Sequence, residues 1–189
     1  AGRGLAGAAL FLGIFLRSLR SDRTYFTFED TLTQIGLGYV FLFLFGFTRV
    51  RTQVIAFVLI LICFWAAFAL YPAPGPHFDY PAVGVPQNWD HNYTGFLSHW
   101  NKNSNLSWAF DKWFLNLFPR EHPFVFNEGG WSTLSFIPTL ATMILGLLTG
   151  EWLKAPGSKE QKLRGLAIAG VALLFAGLAM QWAGICPIV

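Results

Sequence analysis

Four stretches of this chain run for most of twenty residues with no acidic, basic or histidine side chain inside them: 31–48, 53–71, 131–150 and 165–183. A helix that crosses a bilayer needs ~20 mostly apolar residues. Within hydrocarbon, every backbone N–H and C=O must find its partner inside the segment itself, which an α-helix achieves. A shorter apolar run, Gly4–Leu16, makes a fifth candidate. The pattern predicts an all-α fold, a polytopic transmembrane helix bundle of about five spans. Water is the wrong solvent for it. The chain is 54% hydrophobic and 12% charged, with 20 Phe and 8 Trp, whereas soluble domains carry about 25% charged residues. A soluble domain of this size hides only ~70% of its unfolded surface.

The second and third spans are separated only by the short RVRT link around residues 49–52, which predicts a tight antiparallel hairpin. Arg49 and Arg51 lie in that turn; Lys154, Lys159, Lys162 and Arg164 lie in the connection between the last two spans. Both must be on one side, and the positive-inside tendency makes that side cytoplasmic. Arg17, Arg20 and Arg23 then fall on the opposite side, against the trend. The chain opens without Met inside an apolar run and closes at CPIV beside another, so it reads as a single membrane domain, 1–189, cut from a longer protein. The net charge of +3 and pI of about 9.0 come with no basic cluster interleaved with aromatics, so nucleic acid is not an expected partner. Cys63 and Cys186 lack CxxC spacing and read as small core residues. The histidines lack HxxxH or HExxH spacing, and no metal is expected.

Between spans three and four lies Pro72–Gly130, a long extracytoplasmic loop that holds all four histidines and Trp89, Trp100, Trp108 and Trp113. Loops longer than about 15 residues are commonly functional or disordered, and this one is too aromatic for disorder. SWAFDKWFLNLF, 107–118, predicts a helix lying at the membrane interface. HWNKNSN, 99–105, packs His99, Asn101, Asn103 and Asn105 into seven positions and is a candidate site for hydrogen-bonding a sugar or a phosphate. The competing account is a turn, which Asn and Ser supply through local backbone bonds. At the loop's end, FNEGGWST places Glu128 just before a charge-free run. A carboxylate there either caps the helix, worth about 0.3–1 kcal/mol, or belongs to a site at the boundary. Asn127, Ser132 and Thr133 are alternative caps.

Taken together, FTFEDTLTQIGLGYVFLFLF (26–45) and FNEGGWSTLSFIPTLATMILGLLTGEWL (126–153) resemble the heparan-α-glucosaminide N-acetyltransferase family and its bacterial members. Leu32, Thr33, Gln34, Ile35 and Gly36 follow that family's span-opening L-Q-R-[IL]-G pattern with a shifted Gln. Glu128, Gly129, Thr133, Gly146 and Gly150 follow its D-P-E-G-x-L-x-T and L-G-x-x-A-G segments, with Phe126 and Asn127 in place of Asp-Pro. FDKWFLNLFPREHPF is similar to its Y-I-D-R segment at Asp111, with Lys112 for Arg. The resemblance implies transfer of an acetyl group from acetyl-CoA to an amino-sugar or related glycan acceptor across a bacterial inner membrane, with 72–130 facing the periplasm. It adds Asp111 and Thr133 to the binding candidates and Glu128 as a supporting residue, and it is compatible with a homodimer. The family's catalytic histidine would lie upstream of Ala1, so no catalytic residue is assignable here.

Two other functions compete. A transporter or permease would show intramembrane charge or broken helices; the four long runs carry no charge, and Pro138 is their only proline. A passive scaffold would bind no ligand.

Overall fold

A computed structural model describes residues 2–185, so Cys186 lies outside the described residues. It contains six α-helices: α1 (Gly2–Ser18), α2 (Thr31–Phe45), α3 (Val50–Leu70), α4 (Leu106–Phe114), α5 (Phe136–Lys154) and α6 (Lys159–Trp182). Among the described residues there is no strand. Three of the helices, α3, α5 with its leading 3-10 turn, and α6, are long and apolar enough to cross a bilayer. That is fewer than the five expected from sequence. α2 stops at Phe45 after 15 residues, only about 22 Å at 1.5 Å per residue, against a hydrocarbon core of ~30 Å.

Helix α5 is the hub. It packs on both α2 and α3, and α2 packs on α1. Leu140, Ala141 and Ile144 of α5 are buried. Although only residues 46–49 link them, α2 and α3 share little contact; the expected hairpin exists as a connection, with α5 rather than a direct seam between its arms. Close approach depends on glycines of α2. A Cβ on Gly36 would sit 2.7 Å from Leu10 Cγ of α1 and 3.0 Å from the Ala6 carbonyl, and one on Gly38 would meet Met143 of α5 at 3.0 Å. Small residues let helix backbones approach in this way. The small-xxx-small pair Gly146 and Gly150 is not used so: a Cβ on either would meet nothing within 4 Å.

The ends of the helices are set by short-range chemistry. Asp30 caps α2, its carboxylate accepting from the N–H groups of Leu32 and Thr33. Ser158 and Gln161 form a reciprocal capping box at the start of α6, satisfying two N–H groups that the helix leaves free. That box begins α6 at Lys159, so the basic KEQKLR segment is helical rather than loop. At the 46–49 end of the bundle, fully buried Gln53 donates to Glu151 Oε1 at 2.8 Å, tying α3 to α5.

Residues 71–130 fold over the other end as a cap. The helix expected over 107–118 is present as α4 and a following 3-10 turn, Leu115–Leu117. Phe114 and Phe118 pack on Phe26 and Phe28 of the α1–α2 connection, with ring centroids 5.2–5.4 Å apart. Trp113 and Leu117 stay exposed. The small apolar centre of the cap is Val83, Val85, Leu115 and Phe124.

Candidate functional site

Where the cap meets α2 and α5, the chain buries polar side chains. Thr27, Glu29, Gln34, Asn103, Ser107, Asp111, Ser132 and Thr133 are each less than a tenth exposed. Groups buried this way cost free energy unless hydrogen-bonded, and most here are bonded across long stretches of sequence. Asn127 Nδ2 donates to Glu29 Oε1 at 2.8 Å. Gln34 donates to the Glu29 carbonyl at 2.9 Å and accepts from Thr139 Oγ1 at 3.1 Å. The N–H of Thr133, at the entrance to α5, donates to Asp111 Oδ2 at 2.9 Å.

Two atoms break the pattern. Asp111 Oδ1 and Thr133 Oγ1 are buried with no well-formed hydrogen bond among the described residues, although the Thr133 hydroxyl stands close enough to the Asp111 carboxyl to hold its pKa down. Asp111 lines a cavity of about 20 Å³ together with Asn103, Asn105, Asn127, Trp131 and Ser132. That is room for about one water-sized group. Trp131 forms part of its rim and is 60% exposed.

Electrostatics reinforce the point. Burial pushes the Asp111 carboxyl up to about 6; the Thr133 contacts pull it back only partly, and nearby Glu29 adds repulsion. Glu29 is also raised, chiefly by burial, with the Asn127 bond and the more distant Arg120 and Arg17 opposing. These are two carboxyl groups of the same cluster, each made easier to protonate by its surroundings.

The candidates taken from sequence separate cleanly. Asn101 is fully buried and fully used: it donates to Tyr80 Oη at 2.7 Å and to the Tyr93 carbonyl at 2.9 Å, and accepts from the Tyr93 N–H at 2.9 Å. Asn103, at φ 51°, bonds the carbonyls of Val83 and Asn127. Asn105 caps α4 through the Trp108 N–H. His99 Nδ1 lies 2.6 Å from the Tyr71 carbonyl, against Phe96 and Trp100. The HWNKNSN segment is thus mainly the cap's internal scaffold, with Asn103 and Asn105 also reaching the cavity.

Glu128 does not cap the helix. It is exposed in the turn 127–130, its carboxylate makes no hydrogen bond among the described residues, and only its carbonyl is engaged, by Lys102 Nζ. The first turn of α5 begins several residues later, at Phe136. Asp111 reaches that entrance from another helix and takes the place Glu128 was expected to fill. Thr133 and Asp111 meet there, whereas His99 and Asn101 belong to a different part of the cap.

Glu29 is the residue sequence reading missed. Its signal was available: two acids, Glu29 and Asp30, precede the α2 run, and a helix start uses one. Asp30 is the cap, which leaves Glu29 free to turn inward. Cys63 is exposed on α3 rather than a core residue. Among the described residues no three His, Cys, Asp or Glu side chains converge as a metal site.

Comparison of the chain with family models, with curated proteins and with solved structures returns no match.

Proposed function

We propose that this chain is part of a multi-pass membrane acyltransferase that moves an acetyl group from acetyl-CoA to the amine of an amino sugar or related glycan. The observation that carries the reading is the free Oδ1 of Asp111, buried beside a cavity that fits a single small polar group. A neutral amine fits it in size and donates an N–H hydrogen bond to that oxygen. The sugar ring stays outside, against the exposed face of Trp131, since rigid aromatic surfaces give large contact area to a partly apolar ring.

The chemistry follows from that placement. The amine nitrogen attacks the thioester carbonyl, the new C–N bond forms, the C–S bond breaks, and coenzyme A leaves as its thiolate. The amine must shed a proton, and a base is most effective when its pKa lies near the working pH. Asp111, raised to about 6, meets that condition better than an ordinary aspartate near 3.9. Burial holds it there, with a smaller contribution from Glu29 repulsion. In this reading all five apolar helices cross the inner membrane of a bacterium, and the cap faces the periplasm.

The test is acetyl transfer by the full-length protein from labelled acetyl-CoA to a glucosamine-bearing acceptor. Asp111→Asn is expected to lower turnover by ~10²-fold or more with folded yield unchanged. Undiminished transfer in that variant would remove Asp111 from the mechanism, and absence of transfer and of coenzyme A binding in the wild type would remove the acyltransferase reading.

A further inference from the structure

Beside the cap, a separate open cleft of about 780 Å³ lies between the end of α1 and the segment 19–32. That volume is in the range of small-ligand sites. One wall is apolar and continues down the helix: Leu16 and Leu19 of the cleft are exposed, as are Phe11, Leu12 and Phe15 earlier in α1. The upper wall carries Arg17 and Arg20.

These two arginines are unused. Among the described residues neither donates a side-chain hydrogen bond nor lies in an ion pair, and both are exposed. The acids of the cleft are, by contrast, occupied. Asp30 accepts from the N–H groups of Leu32 and Thr33 and from Thr33 Oγ1. Glu121 Oε1 accepts from Ser21 Oγ and the Asp22 N–H. Tyr25 is held by Arg120, which donates to its hydroxyl at 3.1 Å. Both acids keep their negative charge, but their bonded oxygens are turned to the chain's own N–H and O–H groups, whereas the two guanidinium groups at the head of the greasy wall have no hydrogen-bond partner among the described residues. Arginine is also the side chain best shaped to grip a phosphate, through paired parallel N–H bonds. Basic residues on the cap side work against the Lys and Arg concentrated at the opposite end of the bundle, so a ligand gives them a purpose that topology does not.

We propose that this cleft binds the phosphate headgroup of an anionic membrane lipid, with Arg17 and Arg20 on the phosphate and the acyl chains along Leu16, Phe15 and Phe11. The site stands apart from the acyl-transfer reading and does not depend on it.

The full-length protein in neutral detergent is titrated with phosphatidylglycerol, phosphatidylcholine or glycerol phosphate, and binding is followed by native mass spectrometry. Phosphatidylglycerol is expected to bind in preference to phosphatidylcholine. A basic residue near an anionic lipid is worth about 1 kcal/mol, roughly fivefold, so Arg17→Gln with Arg20→Gln should weaken phosphatidylglycerol by ~25-fold. Arg23→Gln, exposed and outside the cleft, should leave it unchanged, and the Arg17→Lys, Arg20→Lys pair should keep most of it, which controls for folding. Equal binding of the two lipids, or full binding by the glutamine pair, overturns the proposal. Glycerol phosphate binding as tightly as the lipid overturns the lipid assignment in favour of a soluble phosphate.

Discussion

The cap and the helices beneath it are built by opposite rules. In the cap the most deeply buried side chains include Asn101, Asn103, Ser104, Ser107 and Asp111, while Trp113 and Leu117 face outward. In α6 no residue is buried, and Leu173, Leu174, Phe175 and Trp182 are all exposed. A helix surrounded by lipid gains nothing by hiding leucine from it, so it requires only length and apolarity. The cap, a folded loop with a small apolar centre, is held by directional bonds between residues far apart in sequence. The difference teaches where single substitutions should matter: at every bonded polar atom of the cap and at the few tight seams around α5, and hardly anywhere on α6.

The largest effect should come where the two halves both depend on packing. Ile144→Ala on α5, fully buried, should cost 2–5 kcal/mol, the usual range for such a truncation. Phe175→Ala on α6, 64% exposed, should cost under about 0.5 kcal/mol; both are measured by thermal unfolding in a neutral detergent. Equal losses would mean that α6 is packed against protein.

Next comes Asn101→Ala. It removes the amide partner of the Tyr80 hydroxyl and of the Tyr93 carbonyl and leaves the Tyr93 N–H only the His91 carbonyl, and a polar group left without a partner costs up to about 1–3 kcal/mol. Limited proteolysis should then open 71–130 while α3, α5 and α6 stay protected. Wild-type resistance in the variant would show that the apolar centre alone holds the cap.

A pH effect of similar size should distinguish the halves. Asp111 has a folded pKa raised to about 6 from an ordinary 3.8, so between those values the folded state holds a proton the unfolded state has lost. Stability therefore falls as pH rises from about 4 through 6, by at most ~3 kcal/mol at 1.36 kcal/mol per unit. Glu29 acts in the same direction. The wild type should melt at a higher temperature at pH 4.5 than at pH 7.5. In Asp111→Asn the difference should shrink; an unchanged difference would assign it to other groups.

The smallest effect belongs to Glu128. With its carboxylate exposed and unbonded, Glu128→Gln should change stability by under about 0.5 kcal/mol and leave acetyl transfer near that of the wild type. A clear loss of turnover with normal folding would place Glu128 back in the site.

The sequence by itself determined that the chain is helical, where the apolar helices run to within a few residues, and that 107–118 is mostly helical. Those properties depend on hydropathy, helix propensity and nearby caps such as Asp30 and Ser158, all of which act over a few residues. Tertiary structure decided which polar residues turn inward. Glu29, Asn127, Asp111 and Thr133 meet only when the cap folds onto the α2 and α5 ends, with Glu29 and Asn127 98 positions apart. Neighbours in sequence were a poor guide for the same reason: Glu128 follows Asn127 directly, yet the chain turns there, and one side chain enters the buried network while the next is left in water. Whether a carboxylate is solvated or desolvated depends on what covers it, and that cover arrives from distant parts of the chain.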